Sequence, residues 1–241
     1  MIKAVLFDLD DTLYEYEPVH QKALGEVYKV FNKKIRKISK ERFKRLFNLS
    51  KIEIKQELSG TASSHNRILY FQRLIEKTHN TVNPEITLNL YNTYWNSFLR
   101  NMKLRGDVIF TLKKLKRDGF KIVIVSDLTT NIQLRKIHKL KITPYVDYLV
   151  TSEEAGSEKP HPIMFLLPLK KLNMLPQEII FVGDNKGKDI TGANAVGMET
   201  ILISNKVKKQ SQDRQDYSKP HFHIKNISEV LNIIEFLNKN K

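Results

Sequence analysis

The chain has 241 residues, of which 41% are hydrophobic and 28% charged, a composition that suits one large globular domain or two modest ones. It lacks cysteine, which excludes disulfides and thiolate chemistry, and no apolar run suits a membrane span or a signal peptide, so we expect a cytoplasmic protein. The formal net charge is +15, but the lysines are scattered without an arginine-rich arm, which is typical of a solvated basic surface.

The first predicted element is a strand over residues 2–7, and three carboxylates follow it within four positions. The stretch reads VLFDLDDTLY and contains Asp8, Asp10 and Asp11. Carboxylates held this close repel one another, so Asp8 and Asp10 need a cation or a shared proton nearby. For Asp11 we expect a structural role instead, as a cap of a helical turn.

The next segment, from residue 18 to 102, carries helical spacing without convincing strands. Predicted helices cover residues 19–31, 40–49, 65–79 and 85–99, and residues 58–64 (LSGTASS) read as a loop. Ser39 could cap the second helix, and Asn83 followed by Pro84 is a clear helix start. The sequence therefore predicts a helical unit over residues 15–104, inserted after the first strand.

From residue 105 onward, short β-branched runs alternate with helical stretches. The predicted strands are 121–126, 148–151, 179–183 and 200–203, and the predicted helices are 107–118, 130–140, 162–172, 189–196 and 228–237. Continuous apolar runs indicate strands that are buried on both faces, as in a parallel sheet covered by helices. We therefore expect an α/β fold, a Rossmann-like doubly wound sheet built from residues 1–14 and 105–241.

Three later segments add groups that a metal-phosphate site requires. Ser126 ends a predicted strand and could hold a phosphoryl oxygen, and Lys159 lies in the loop GSEKPHP before a predicted helix. Another predicted strand ends just before Asp184, and Asp189 follows five residues later. Because ligands bind beyond the carboxyl ends of parallel strands, we expect these groups at one edge of the sheet. Such oxygen ligands suit Mg²⁺.

In this order the segments resemble the motifs of the haloacid dehalogenase (HAD) superfamily of hydrolases and phosphotransferases. The first motif of that family, Asp-x-Asp-x-Thr, stands here as Asp8 to Thr12, and the later motifs match Ser126, Lys159, Asp184 and Asp189. The resemblance covers residues 1–13 and 105–238. The helical insert in turn resembles the all-helical cap domain of the family.

The resemblance implies a phosphatase that works through an aspartyl-phosphate. Asp8 would be the nucleophile and Asp10 the general acid and base. Mg²⁺ would be held by Asp8, the backbone carbonyl of Asp10 and Asp184, with Asp189 in a supporting role. The expected partner is a small-molecule phosphate ester, with neither a specific nucleic acid nor a membrane.

The remaining matched residues would bind the phosphoryl group or orient the loop. Ser126, the backbone of Asp127 and Lys159 would bind phosphoryl oxygens, and Thr12 would orient the first motif. Asp127 stands where the family often has Asn, and we expect its carboxylate to turn outward. We interpret His20 and His161 as surface histidines and leave both outside the catalytic set.

Alternatives remain at this point. A dehalogenase of the same superfamily is disfavoured because it would lack an acid at Asp10 and would need no metal, whereas a phosphomutase would use the same groups. A non-enzymatic binding module could use the basic insert, which has 17 basic and 8 acidic side chains between Tyr14 and Leu104. Sugar phosphates, glycolytic-type phosphates and nucleotides all stay open as substrates, and the oligomeric state is not indicated.

Overall fold

A six-stranded parallel sheet forms the centre of the protein in a computed structural model that describes residues 1–204 and 217–240. The strands are β1 (Ala4–Phe7), β2 (Lys121–Ser126), β3 (Tyr148–Thr151), β4 (Ile179–Gly183), β5 (Glu199–Ile203) and β6 (Phe222–Ile224). Their order is β3-β2-β1-β4-β5-β6, and every neighbouring pair is parallel. The predicted doubly wound α/β fold is confirmed. Residues 205–216 of the predicted core lie outside the described residues.

The strands are parallel and buried on both faces because their side chains supply two separate hydrophobic clusters. In β1, Val5 and Phe7 belong to the larger cluster, whereas Ala4 and Leu6 belong to the smaller one. Alternate residues of a strand point to opposite faces, so an uninterrupted apolar run is needed to cover both. The sequence did not predict β6, since its three residues FHI are too short to stand out as an apolar run.

Helices cover both faces of the sheet. In chain order they are α1 (Tyr16–Lys34), α2 (Lys40–Glu57), α3 (Arg67–His79), α4 (Pro84–Asn101), α5 (Val108–Arg117), α6 (Thr130–Lys139), α7 (Ser152–Ala155), α8 (Ile163–Leu172), α9 (Thr191–Ala195) and α10 (Glu229–Lys239). Side chains of α5, α6 and α10 pack in the larger cluster, and those of α8 and α9 in the smaller one. Among the described residues, no helix combines the length and the hydrophobicity that crossing a membrane requires.

Four long helices, α1 to α4, fill the chain between β1 and α5. The side chain of Ser39 accepts a hydrogen bond from the amide of Arg42 and that of Asn83 from the amide of Ile86, so both predicted caps are confirmed. Helix α2 continues past its predicted end at residue 49, because Ile54 extends its buried stripe. The predicted loop ends in a 3₁₀ turn, Ala62–His65, and α3 therefore begins two residues later than expected.

The two connections between the insert and the sheet lie side by side. The guanidinium of Arg105 donates to the backbone carbonyls of Asp11 (2.8 Å) and Thr12 (3.0 Å). The carboxylate of Asp11 accepts a hydrogen bond from the amide of Tyr16, the first residue of α1, at 2.8 Å. Asp11 therefore has a structural role at a helix start, as predicted, although the helix is the long α1 and not a short turn.

Candidate active site

The carboxyl ends of three neighbouring strands bring the predicted site residues together. Asp8 follows β1, Ser126 ends β2 and Asp184 follows β4. All three line one cavity of about 300 Å³, together with Asp10, Asp127, Lys159 and Asp189. The sequence prediction that these groups meet at one edge of the sheet agrees with this arrangement.

Asp8 is buried and held on both carboxylate oxygens. Its Oδ1 accepts a hydrogen bond from Lys159 Nζ at 2.5 Å, and its Oδ2 accepts one from the Thr12 hydroxyl at 3.1 Å. Burial raises the pKa of the Asp8 carboxyl well above its ordinary value; the charge of Lys159 opposes this rise, and the neighbouring carboxylates add to it. The site thus holds a rigid carboxylate that gains from any additional positive charge.

Two further carboxylates stand beside Asp8. Oxygen atoms of Asp8, Asp184 and Asp189 all lie within 4.8 Å of one another. Burial raises the pKa of Asp184 to about 7, and the nearby Asp189 adds to this effect. Three oxygen donors that repel each other in a buried position form the kind of group that suits a hard divalent cation. The Asp10 carboxylate is not one of them, and the role of its backbone carbonyl stays a prediction.

A close approach of the backbone positions Asp189. Asp189 lies in a π-helical turn, Lys186–Ile190, where its carboxylate accepts hydrogen bonds from the amide of Asn185 (3.0 Å) and from Lys159 Nζ (2.7 Å). A Cβ atom at Gly183 would lie 2.5 Å from the Asp189 carboxylate, so only glycine fits at the end of β4. Lys159 is therefore shared between Asp8 and Asp189, and it draws the two acidic side chains together.

Asp10 has partners that the sequence analysis missed. Both of its carboxylate oxygens accept hydrogen bonds from Lys136 Nζ at 2.7 Å, and Oδ1 also accepts one from the Tyr14 hydroxyl at 2.5 Å. Lys136 lies on α6 and is fully buried, with its ammonium 5.6 to 6.0 Å from the ring centroids of Phe98, Trp95 and Tyr14. Burial lowers the pKa of Lys136, and the charge of Asp10 opposes this.

A signal for Lys136 was present in the sequence. The residue falls four positions after Ile132 and directly before Ile137, on the apolar face of a helix that had been predicted. A lysine is almost never buried on such a face unless it has a partner. The partner itself could not be identified, because Asp10 lies 126 residues away in the chain.

Ser126 and Asp127 lie at the end of β2, and both face polar partners. The Ser126 hydroxyl accepts a hydrogen bond from Gln133 Nε2 at 2.8 Å. The Asp127 carboxylate accepts from the amide of Lys159 (3.0 Å) and from Lys188 Nζ (2.8 Å). Burial works against its charge, but Lys159 and Lys188 outweigh this and lower the pKa of Asp127. Our expectation of an outward-facing carboxylate is therefore wrong: it lines the cavity, where Lys188 neutralises it.

The two histidines left outside the site differ in their surroundings. His161 is exposed, as predicted. His20 is buried in the insert, where its Nδ1 lies 2.7 Å from the Tyr94 hydroxyl and its ring stacks on Tyr16. The prediction of a surface position is wrong for His20, because α1 turns this residue inward beside Val19. Burial lowers the pKa of His20 to about 3, and the charges of Arg67 and Lys51 contribute.

Comparisons with known proteins agree with this geometry. The sequence profile of the haloacid dehalogenase-like hydrolases matches residues 5–203. A ribulose-1,5-bisphosphate 5-phosphatase of Halopiger xanaduensis is 42% identical over 203 residues, which are 84% of this chain and 85% of that protein. A glyceraldehyde 3-phosphate phosphatase of Methanopyrus kandleri is 32% identical over 241 residues, which are 99% of this chain and 100% of that protein.

A solved structure shows the same fold. The crystal structure of a 2-haloacid dehalogenase from Pseudomonas syringae matches with a TM-score of 0.76 at 23% identity, and the match covers 98% of this chain and 99% of that one. The chain belongs to the haloacid dehalogenase-like hydrolases. Within this family it is an enzyme of the phosphoric monoester hydrolase class, so the alternative of a non-enzymatic binding module is set aside.

Proposed function

We propose that this enzyme hydrolyses a small phosphorylated metabolite through an aspartyl-phosphate on Asp8, with Mg²⁺ as its cofactor. The observation that carries the proposal is the buried group of Asp8, Asp184 and Asp189 with Lys159 at the edge of the sheet. The cavity of about 300 Å³ is at the small end of the range for ligand pockets. The names of the relatives point to sugar phosphates, since they act on ribulose-1,5-bisphosphate and glyceraldehyde 3-phosphate.

Asp8 is the proposed nucleophile. One of its carboxylate oxygens attacks phosphorus while the bond from phosphorus to the ester oxygen breaks, which leaves an acyl phosphate on Asp8 and an alcohol as the first product. Water then attacks the same phosphorus, and the carboxylate of Asp8 leaves unchanged. Lys159, whose ammonium lies 2.5 Å from Asp8, compensates the negative charge of the phosphoryl group during both steps.

Asp10 is the proposed general acid and base. It gives a proton to the leaving ester oxygen in the first step and takes one from the attacking water in the second. Its carboxylate is 30% exposed, whereas Lys136 and Tyr14 hold it on one side. A halide leaves without a proton, so an acid at this position favours phosphate ester hydrolysis over dehalogenation, although a dehalogenase shares the fold.

The residues present fit a Mg²⁺ ion. The oxygen atoms of Asp8, Asp184 and Asp189 form a compact set of hard donors. A bound cation would offset the repulsion between these carboxylates, which contributes to the raised pKa of Asp184. Asp8, Asp184 and the backbone carbonyl of Asp10 would hold the ion, with Asp189 in support. Bound there, Mg²⁺ would supply charge neutralisation between the anionic nucleophile and the anionic substrate.

We further propose that residues 15–104 form a cap domain over a core of residues 1–14 and 105–241. Contacts between the insert and the loop before Lys159 support the position of the insert over the core. Glu158 donates its amide to the carbonyl of Gly60 at 2.9 Å, and its carboxylate accepts from the hydroxyl of Ser64 at 2.5 Å and lies 3.1 Å from His65 Nε2. In this arrangement the core carries the chemistry, and the insert contacts the leaving group.

Phosphate release from a panel of small phosphate esters tests the proposal. We expect turnover of sugar phosphates and of p-nitrophenyl phosphate with Mg²⁺, a loss of more than about 100-fold in excess chelator, and recovery when Mg²⁺ is restored. Chloride release from 2-chloropropionate is the matched control and should stay at background. Undiminished turnover in chelator would contradict the metal, and no phosphate release from any ester would contradict the function.

A further inference from the structure

We propose that the active-site cavity contains a second anion site, formed by Lys51 and Lys55 of α2 and Arg67 of α3. This site binds a phosphate or carboxylate group of the substrate that is separate from the phosphate being hydrolysed. The inference rests on the proposed phosphatase function and narrows its substrates to small esters with two anionic groups. We name these three residues the distal cluster.

Lys51 and Lys55 are neighbours on one face of α2, since they are separated by one helical turn, and both line the cavity. Among the described residues, neither lysine has a hydrogen bond or an ion pair with another side chain. Like charges at this spacing destabilise a helix. Burial lowers the pKa of both lysines, and the charge of Arg67 contributes in each case. An anion between them would remove this repulsion.

The two acidic residues of α2 nearest in sequence to these lysines form ion pairs with α3. Glu53 and Glu57 alternate with the two lysines in the sequence, but they pair with α3: Arg73 lies 3.1 Å from Glu53 and 2.8 Å from Glu57. Lys77 adds a contact of 2.6 Å to Glu53. Ion pairs therefore balance the charges on that side of the helix, whereas on the cavity side the cations have no such balance.

Arg67 adds a buried positive charge to the same wall. It is 7% exposed, and its guanidinium donates to the carbonyl of His65 and to the hydroxyl of Tyr16. Its Nε is buried without a hydrogen-bond partner, and no carboxylate of the described residues forms an ion pair with it. The guanidinium lies 5.3 to 6.0 Å from the centroids of four aromatic rings, which hold it in place without neutralising it. A buried charge without a counter-charge is costly.

The carboxylates that line the cavity have other partners. Asp127 is paired with Lys188 at 2.8 Å, and Glu158 with Ser64 and His65. Asp8 and Asp189 contact Lys159 at the sheet edge, where the phosphate that is hydrolysed must bind. Asp10 is paired with Lys136, and Asp11 accepts a hydrogen bond from the amide of Tyr16. Glu17 attracts Lys51 and Glu158 attracts Lys55, but among the described residues no carboxylate forms an ion pair with the distal cluster. A substrate anion would supply that missing contact. Because the cavity holds only about 300 Å³, both anionic groups belong to one compact molecule.

Matched esters and lysine variants test the distal cluster. We would measure kcat/KM with Mg²⁺ for ribulose 1,5-bisphosphate against ribulose 5-phosphate, and for 3-phosphoglycerate against glycerol 3-phosphate. These pairs add a phosphate and a carboxylate, respectively. p-Nitrophenyl phosphate reports the chemistry without a second anion. The variants are Lys51→Gln, Lys55→Gln and both together, and Lys44→Gln is the control because Lys44 is an exposed lysine of the same helix.

We expect the wild-type enzyme to prefer at least one ester with a second anion by about 10-fold or more. Each lysine substitution should lower kcat/KM for that ester by about 10-fold, which is typical of a charge-assisted hydrogen bond, and the double substitution by about 100-fold. Turnover of p-nitrophenyl phosphate should change less than about 3-fold. The matched pair of esters that shows the larger preference identifies the group bound by the distal cluster as a phosphate or a carboxylate.

The outcomes separate this inference from the proposed function. A wild-type enzyme that cleaves p-nitrophenyl phosphate but shows no preference in either pair would overturn the distal cluster alone. An equal loss on every ester in the double variant would also overturn it, since it would indicate general damage. If the wild-type enzyme cleaves none of the esters, the proposed function fails and the distal cluster fails with it. Because both lysines are unpaired, the variants should melt no lower than the wild type.

Discussion

The sheet edge contributes most of the acidic side chains of the cavity, and the helical insert contributes basic ones. At the sheet edge, Asp8 and Asp189 share the ammonium of Lys159, and each carboxylate has a further hydrogen-bond donor. In the insert, Lys51 and Lys55 have no partner among the described residues. The first group is preorganised by its own contacts, whereas the second is completed only when a ligand binds. Under the proposed function, the sheet edge would perform the reaction and the insert would select the substrate.

The two regions also differ in what carries their side chains. Asp8, Ser126 and Asp184 stand at the ends of buried parallel strands, where the sheet determines their separation. Lys51, Lys55 and Arg67 project from helices, and their positions depend on how α2 and α3 pack. Changes at the sheet edge should therefore affect turnover of every ester, while changes in the insert should affect some esters more than others.

The largest effect should come from Asp8→Asn at the sheet edge. It removes the proposed nucleophile and keeps the size of the side chain, so kcat should fall by more than about 10⁴-fold for every ester. The measurement is phosphate release under saturating substrate. The folded state should tolerate the change, because burial and the neighbouring carboxylates disfavour the charge of Asp8 and raise its pKa, although Lys159 opposes this. Asp118→Asn, at an exposed ion pair with Lys114, is the matched control. Activity of Asp8→Asn near the wild-type level would refute the covalent mechanism.

A smaller effect is expected from Lys136→Met. Lys136 lies where the sheet edge meets the helical insert. Methionine fits among Tyr14, Trp95 and Phe98, but Asp10 loses the donor to both of its oxygens. Misplacing the acid should lower kcat by about 10- to 100-fold, which is part of what acid–base catalysis contributes. KM should change little, because Lys136 is fully buried and does not line the cavity.

Lys139→Met is the control for this variant, since Lys139 is an exposed lysine on the same helix. Steady-state kinetics of both variants, together with their melting temperatures, would separate positioning of Asp10 from a loss of stability. An unchanged kcat in Lys136→Met would show that the hydrogen bonds from Lys136 are not required to position Asp10.

The smallest effect is a pH dependence of stability that arises in the insert. The pKa of His20 is lowered to about 3, against about 6.5 in the unfolded chain, so the unfolded state binds the extra proton between these values. The free energy of unfolding should therefore fall as the pH drops from 6.5 toward 3, by about 2 kcal/mol at pH 5 from this residue. His20→Gln should remove this part of the slope.

Urea unfolding at pH 8 and pH 5 would measure the difference. His161→Gln serves as the control, because His161 is exposed and its substitution should leave the slope as it is in the wild type. If His20→Gln and the wild type lose the same free energy between the two pH values, the imidazole is not kept neutral in the folded protein.

The edge of the sheet could be predicted from the sequence because its chemistry is local. Asp8, Asp10 and Thr12 lie within five positions, and Ser126 and Asp184 each stand at the end of a short, β-branched apolar run that is typical of a buried strand. Parallel strands bring their carboxyl ends to one edge, and the residues there become neighbours when β2 and β4 flank β1, as the resemblance to the family implies. The order of β2, β1 and β4 in the sheet agrees with this reasoning.

Contacts between helices and across the insert could not be predicted in this way. The periodicity of a helix shows which residues share a face but not which element packs against it, so the partner of Lys136 and the inward position of His20 stayed hidden. Lys51, Lys55 and Arg67 looked like ordinary basic residues of a Lys-rich chain. Packing of α2 and α3 over the sheet edge turns these three cations into part of a cavity wall, and burial there makes their missing counter-charges significant.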